Sequence, residues 1–596
     1  MTFTTRPEIT GTFGVATSTH WIASAVGMKI LEQGGNAFDA AAAMGFVLNV
    51  VEPHLNGPLG DMPLMIRPAG AAAPKMICGQ GTTPAGATIA HYKSEGLTLI
   101  PGSGLLATVI PGAFGAFMLM LRDHGSLPLR DILEPAIYYA RHGHPMLPRV
   151  ANTIAGLTDF FREEWPTSYA TWLPGGTAPK AGALFCNPEL ADMWERLVTE
   201  AEAVTGREAQ IEAARRTFYE GFIAEAIDSY LKDACVMDAA GGRRKGVLTG
   251  QDMATWQASY EDPLSVDYHG WTVWKGGMWT QGPTLLQSLR MLEGIDLGAM
   301  DLRGAEFVHT VTETIKLAFA DREAYYGDPD HTDLPVDTLL SRDYAATRRA
   351  LIGDRASLDQ RPGHIAGLEA WAKAAVDRAG RDLAAGPGVG GGEPTMAHLT
   401  EKRGDTVHFD VIDRWGNSVS ATPSGGWLQS SPVIPGLGVP LNSRAQMFWL
   451  EDGLPTSLAP GRRPRTTLSP SMGQAPDGTE LAFGTPGGDQ QDQWQLILFL
   501  RLVHGQMNLQ EAIDAPLFHT GHFQSSFYPR GTRPGHLMAE PAFGEAVLQE
   551  LRDKDHEVEV SEPWAVGRLT AASRGTEGML KAAATPRLMQ AYAIGR

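Results

Sequence analysis

Cysteine is scarce. Only Cys78, Cys186 and Cys235 occur in 596 residues, and no Cys-x-x-Cys spacing exists. That excludes a disulfide framework and the common zinc and redox motifs. Positive charge is in deficit: 49 Lys and Arg against 67 Asp and Glu leave a net charge of −18. A chain this acidic lacks the footprint of a nucleic-acid or anionic-membrane binder, so neither partner is expected. A small anionic substrate, which meets only local charge, stays compatible. Long hydrophobic runs are missing too. The uncharged stretch Gly104 to Leu121 contains Pro111, Gly112 and Gly115, and reads as strand, turn and buried helix rather than a membrane span. Met1 to Ala16 has no basic start followed by an apolar core, so no signal peptide is expected and a cytoplasmic protein is the working class. No Gly-x-Ser-x-Gly element appears, which argues against a serine hydrolase built on a nucleophile elbow.

What is present is an ordinary globular balance, 43% hydrophobic and 19% charged, with 68 glycines and 40 prolines for tight turns. Trp21 to Gln33 has helical apolar spacing, and Gly34-Gly35 stops it. Asn36 can cap a second, nearly all-apolar helix, Ala37 to Val51, with Asp39 in its first turn. Residues 120–380 read as mostly helical, Glu306 to Tyr326 most clearly. The following Asp328, Asp330 and His331 fit a turn whose carboxylates bond backbone better than a metal site. Residues 386–392 are glycine-rich enough to predict a flexible segment, extending as a tail over 386–405. Strands follow: Thr406 to Asp413, with Val407, Phe409 and Val411 on one face, a turn at 414–417, then Ser418 to Thr422. Another strand, Glu480 to Thr485, leads through Pro486-Gly487-Gly488 to Asp489 as cap of a helix, Gln490 to His504. Helices first and a strand-rich third afterwards predict an α+β fold.

Three features combine into chemistry. A glycine-rich run leads to Asp405-Thr406, a hydroxyl-rich loop holds Thr422 and Ser424, and Gly487-Gly488 lies between strand and helix. A threonine hydroxyl is a poor nucleophile until a base takes its proton. A cut just before Thr406 would free its own α-amine, which titrates near ~8, as that base. The backbone N–H groups of Gly487 and Gly488 could hold an oxyanion.

These elements resemble the γ-glutamyltransferase family of N-terminal-nucleophile hydrolases over most of the chain. The similarity is carried by residues 14–60 with GGNAFDAA and VEPH, by TVIPGAFG (108–115) and by AFADREAYYGDP (318–329). It continues through TVHFDVIDRWGNSVSAT (406–422), RRPRTTLSPS (462–471) and FGTPGGDQQ (483–491). The resemblance implies a four-layer αββα sandwich and a precursor that cuts itself between Asp405 and Thr406. The products would be a large subunit, 1–405, and a small one, 406–596, intertwined as one domain. It implies Thr406 as nucleophile, Ser424 as its hydrogen-bond partner, Thr466 and Thr467 as substrate contacts, and Gly487 and Gly488 as the oxyanion hole. No cofactor or metal is expected. The partners are a small acyl amide and the two pieces of one precursor, with a homo-oligomer of that heterodimer left open.

The departures are informative. Where the family holds the α-carboxylate of a γ-glutamyl group with arginine, this chain has Ile89; where it holds the α-ammonium with aspartate, Met447 stands, and Gly426 replaces an asparagine. Arg444 and Arg465 are additions, and both are expected to bind substrate. An ammonium without a carboxylate partner is poorly held in a buried site, whereas arginine suits a carboxylate. The pattern is similar to the glutaryl- and cephalosporin-acylase branch and points to γ-glutamyl- or glutaryl-type amides. The short segment between Phe448 and Arg463 favours hydrolysis over transfer. The alternatives are a true γ-glutamyltransferase or glutathione hydrolase, and an unprocessed inactive scaffold.

Overall fold

A computed structural model describes residues 3–380 and 406–596; Asp405 and the glycine-rich tail 386–405 lie outside the described residues. Two seven-stranded sheets carry the fold. The first runs Tyr592–Gly595, Gly14–Ser18, Phe409–Asp413, Ser418–Ala421, Met62–Arg67, Lys75–Gly79, Ser259–Glu261. The second runs Ile9–Gly11, Leu580–Ala584, Thr570–Arg574, Glu480–Gly484, Ser471–Gln474, Trp271–Lys275, Leu264–Tyr268. All neighbours in both are antiparallel. Each sheet mixes strands from before residue 380 and after residue 406.

The strand Phe409–Asp413 shows why the alternation matters. Every residue in it is buried. Val407, Phe409 and Val411 share one face, as the period of two predicts, and pack into the core beneath the helix Ala37–Val51. Ile412, on the opposite face, meets Ala572 and Ala582 of the second sheet. His408 and Asp410 share that opposite face, and this is where polar chemistry enters between the sheets.

The first helix pair covers the outer face of the first sheet. Trp21–Glu32 ends as predicted, with Gly34 at φ 94°. Asn36 and Asp39 form a capping box on Ala37–Val51, whose fifteen residues are all buried. Pro283–Leu292, Gln491–Gly505 and Leu509–Asp514 pack on the second sheet. No helix among the described residues is long and apolar enough to cross a membrane.

Four local expectations are corrected. Gly104 to Leu121 forms a 3₁₀ turn, Leu105–Ala107, and a helix, Ala113–His124, with no strand. The strand expected from Thr406 begins at Phe409 instead, and among the described residues Thr406 makes a single ladder contact, a bridge to Ser424. Asp489 does not cap the following helix; it sits inside a 3₁₀ turn, Gly488–Gln490, and its carboxylate faces an arginine. Residues 120–380 also contain the hairpin Leu264–Tyr268 and Trp271–Lys275, an edge of the second sheet.

Candidate active site

Thr406 is fully buried, and its hydroxyl lies 3.3 Å from Ser424 Oγ. Ser424 is itself clamped. It bridges Thr406 on one side and Asp61 on the other, exchanging backbone bonds of 2.8 and 2.9 Å with Asp61. The Val407 N–H donates to the Pro423 carbonyl (3.1 Å), closing the turn. Gly425 has φ 73°, and a Cβ there would stand 2.5 Å from Asp61 Oδ1. The loop therefore needs glycine to bring Ser424 this close.

His408 fixes the second wall. Its Nε2 donates to Asp410 Oδ1 (3.0 Å), because a carboxylate only accepts, and Nδ1 is hydrogen-bonded to the Thr422 hydroxyl (2.8 Å). Asp410 Oδ2 accepts from Thr570 of the opposite sheet (2.9 Å). Any side chain at Gly484 would collide with the His408 ring. This contact sets the end of Glu480–Gly484 against the strand that Thr406 precedes, and the glycine turn follows three residues later.

Gly487 (φ 126°) and Gly488 (φ 54°) lead into Gln491–Gly505. The Gly487 carbonyl accepts from the Gln490 N–H (3.0 Å) and the Gly488 carbonyl from Gln281 Nε2 (2.8 Å). In a trans peptide the N–H points opposite its carbonyl, so the Gly488 N–H is directed away from the helix. Such a donor suits a developing oxyanion. Asp489 anchors the turn, accepting from Arg322 Nη1 (2.5 Å), Ser526 Oγ (2.6 Å) and the Ser526 N–H (2.8 Å).

Thr466 and Thr467 run beside this turn. Thr466 N–H donates to the Trp279 carbonyl (2.8 Å), and Ser469 bonds Gln491 and Asp492 at the helix start (3.1 and 2.9 Å). Thr467 Oγ1 is buried with no hydrogen-bond partner.

The expectation that Arg444 and Arg465 hold substrate meets internal carboxylates at both places. Arg444 grips Asp61 through Nε (2.9 Å) and Nη2 (3.0 Å), both side chains fully buried. Burial raises the Asp61 carboxyl, against the opposing pull of Arg444. Arg465 pairs with Glu323 (2.8 Å), with Ser526 Oγ at 3.4 Å. A buried guanidinium recruits a carboxylate wherever the fold offers one. Met447 lies in an apolar cluster with Trp427 and Phe527, and Ile89 is half-buried against Ala87 and Tyr92. Neither offers a charge to an amino-acid head group.

Residues that the sequence did not mark for the site surround these groups: Asp61, Arg322, Glu323, His408, Asp489 and Ser526. Arg322 and Glu323 sit in the AFADREAYYGDP element, so that motif was their available signal. The Asp328 turn forms as read, accepting from the Asp330 N–H (3.2 Å) and His331 (3.0 Å). Elsewhere, His309, Glu313 and His556 come together as metal-type ligands. Lys316 (2.6 Å) and Arg361 (3.1 Å) already occupy Glu313, a poor setting for a divalent cation.

The family model for gamma-glutamyltranspeptidase matches residues 23–595. The glutathione hydrolase-like YwrD proenzyme of Bacillus subtilis (strain 168) is 29% identical over 584 residues, covering 97% of this chain and 98% of that protein. The solved structure of LmbA2991HD is 51% identical, with a TM-score of 0.91 and complete coverage of both chains. The crystal structure of cephalosporin acylase from Bacillus halodurans is 25% identical with a TM-score of 0.81, covering 100% of this chain and 98% of the other.

Proposed function

The chain belongs to the gamma-glutamyltranspeptidase family, and on that premise we propose that it is a self-processing amidohydrolase acting on γ-glutamyl- or glutaryl-type amides. The observation that carries this reading is the Thr406 hydroxyl, 3.3 Å from Ser424 and followed by a strand packed against the one that leads to Gly487-Gly488. The two facing sheets with helices outside are read as the αββα sandwich of N-terminal-nucleophile hydrolases.

In this mechanism the Thr406 hydroxyl attacks the carbonyl of residue 405. The peptide nitrogen leaves as the Thr406 amine, and water hydrolyses the resulting ester. The freed amine then accepts the hydroxyl proton while Thr406 Oγ1 attacks the substrate carbonyl. Gly487 and Gly488 N–H groups stabilise the oxyanion, and one such donor contributes ~3–4 kcal/mol. The protonated amine passes its proton to the leaving nitrogen, and water releases the acyl group from threonine. Ser424 orients the nucleophile, and Thr466 and Thr467 contact the acyl chain. Arg444 and Arg465, each internally paired, shape the polarity of the pocket. The apolar surroundings of Met447 support a substrate without an α-ammonium. The short Phe448-to-Arg463 segment favours water as acceptor.

A denaturing gel and two anilides test this. Processing yields fragments of about 44 and 20 kDa, from 64.1 kDa divided in proportion to 405 and 596 − 405 = 191 residues. The smaller fragment starts at Thr406, and Thr406→Ala gives one band. Glutaryl-p-nitroanilide is cleaved faster than γ-glutamyl-p-nitroanilide. A glutathione hydrolase, the reading suggested by the name of the Bacillus subtilis relative, reverses that order. A single band from the unmodified chain defeats both readings.

A further inference from the structure

Glu323 stands inside a buried cationic cluster. Burial alone would raise its carboxyl, yet Arg465, Arg378, Arg530 and Arg322 together hold it at about 2. All four arginines are buried. The carboxylates that face them are Glu323, Asp489 and the part-exposed Glu451, which stands 3.9 Å from Arg378. Among the described residues, Glu323 and Asp489 are the carboxylates that face Arg322, Arg465 and Arg530, two carboxylates for three guanidinium groups. Surplus positive charge in a dry interior is costly and selects an anion.

The surplus falls on Arg530. No carboxylate among the described residues lies within ion-pair distance of it, whereas Arg444, whose Nη1 is likewise buried without a hydrogen-bond partner, is ion-paired with Asp61. Arg530 Nη2 donates to the Gln446 carbonyl (2.8 Å), and the guanidinium lies over the Trp449 ring at 4.1 Å. Its Nη1 is buried with no hydrogen-bond partner. Its backbone has φ 61°, in the left-handed region that non-glycine residues rarely adopt. Bonds from the Arg530 N–H to the Phe527 carbonyl (2.7 Å) and from the Ser525 N–H to the Gly531 carbonyl (3.0 Å) hold it there.

The loop bearing Arg530 joins the two walls around Thr406. Ser526 binds Asp489, next to Gly488. Phe527 packs with Trp427, three residues after Ser424, and with Met447. The Tyr528 N–H donates to Gln446 Oε1 (3.1 Å).

We propose that Arg530 is a substrate-binding residue that holds a terminal carboxylate on the acyl chain, with Glu323 and Arg465 as positioning residues. The inference rests on the amide-hydrolase reading and specifies its substrate class: acyl groups ending in a carboxylate. Unpaired Nη1 supplies the donor, and stacking on the Trp449 face fixes the orientation of the guanidinium plane.

The test compares kcat/KM for glutaryl-p-nitroanilide and pentanoyl-p-nitroanilide, which differ in the terminal carboxylate, using processed enzyme. Arg530→Gln should lower the glutaryl-to-pentanoyl ratio about 10- to 100-fold, chiefly through the glutaryl KM. Arg530→Lys, which keeps charge and loses the fork, should fall between the two. An unchanged ratio in both variants overturns the proposal. Should Arg530→Gln fail to fold or process, Arg530→Lys decides alone. Thermal shift with free glutarate separates this inference from the reading beneath it. Glutarate, and not pentanoate, should raise the melting temperature of the wild type and not of Arg530→Lys. If the wild type cleaves neither anilide but shows that glutarate shift, the amide reading fails while the carboxylate site stands; no shift and no ratio change sink the site itself.

Discussion

At the scale of single residues, the pair Asp61 and Arg444 links the chain before residue 380 to the chain after residue 406. Removing one member leaves the other charged and buried. Asp61→Ala is therefore expected to cost about 3–5 kcal/mol, and the double change Asp61→Ala with Arg444→Met much less. Denaturant unfolding in the uncut Thr406→Ala background measures both; equal losses would mean the ion pair is not the cause. This pair also marks the limit of what residues disclose on their own. Thr406, Ser424, Thr466, Thr467, Gly487 and Gly488 stand in short contiguous motifs, and the family resemblance those motifs carry is what names them as candidates. Arg444 and Arg465 could be named but not their occupation. Their carboxylates lie 383 and 142 positions away, and only folding brings those groups together.

Among the elements, the glycine turn is the one most sensitive to shape. Gly487 combines a positive φ with a neighbour, Trp494, that would clash with any Cβ. Gly487→Ala should lower kcat about 10²–10³-fold through misplaced donors. Circular dichroism should show the helix Gln491–Gly505 retained, since its own bonds are untouched. Loss of helix together with activity would assign the residue to folding. The strand, turn and helix around it were legible from alternation, Pro-Gly-Gly and the apolar run after it. The role of Asp489 was not: a carboxylate at that place normally caps, but Arg322, 167 residues earlier, outcompetes the free N–H groups. The hairpin 264–275 was hidden because its polar outer face, with Ser265 and Asp267, sits amid helical sequence.

For the molecule as a whole, acid is the expected weakness. Burial pushes His20, His519 and His522 down to about 3, His536 to about 4 and His556 to about 2, each below the ordinary 6.5. Between those values and 6.5 the unfolded chain binds more protons, so stability falls as pH falls. Each such histidine contributes up to about 1.4 kcal/mol per pH unit across its window. Glu323, depressed from 4.5 to about 2, adds a loss below pH 4.5. Glu52, raised by burial to about 7, acts oppositely and loses stability as pH rises from 4.5 to 7. Five histidines outweigh one glutamate, so the melting temperature should drop from pH 6.5 to pH 4; a level profile would show the histidines are not held neutral. The broad α+β plan was readable because helices and strands separate along the chain. The weave of the two sheets was not, since pairing between residues 14–18 and 592–595 leaves no local trace. That weave gives the cleaved molecule a one-way history. An uncut chain can unfold and return by itself, but a nicked one must reunite two fragments that each own only part of either sheet. Recovery after denaturation would then depend on concentration, and the lifetime of the mature protein would be set by how slowly it opens, not by how favourably it folds.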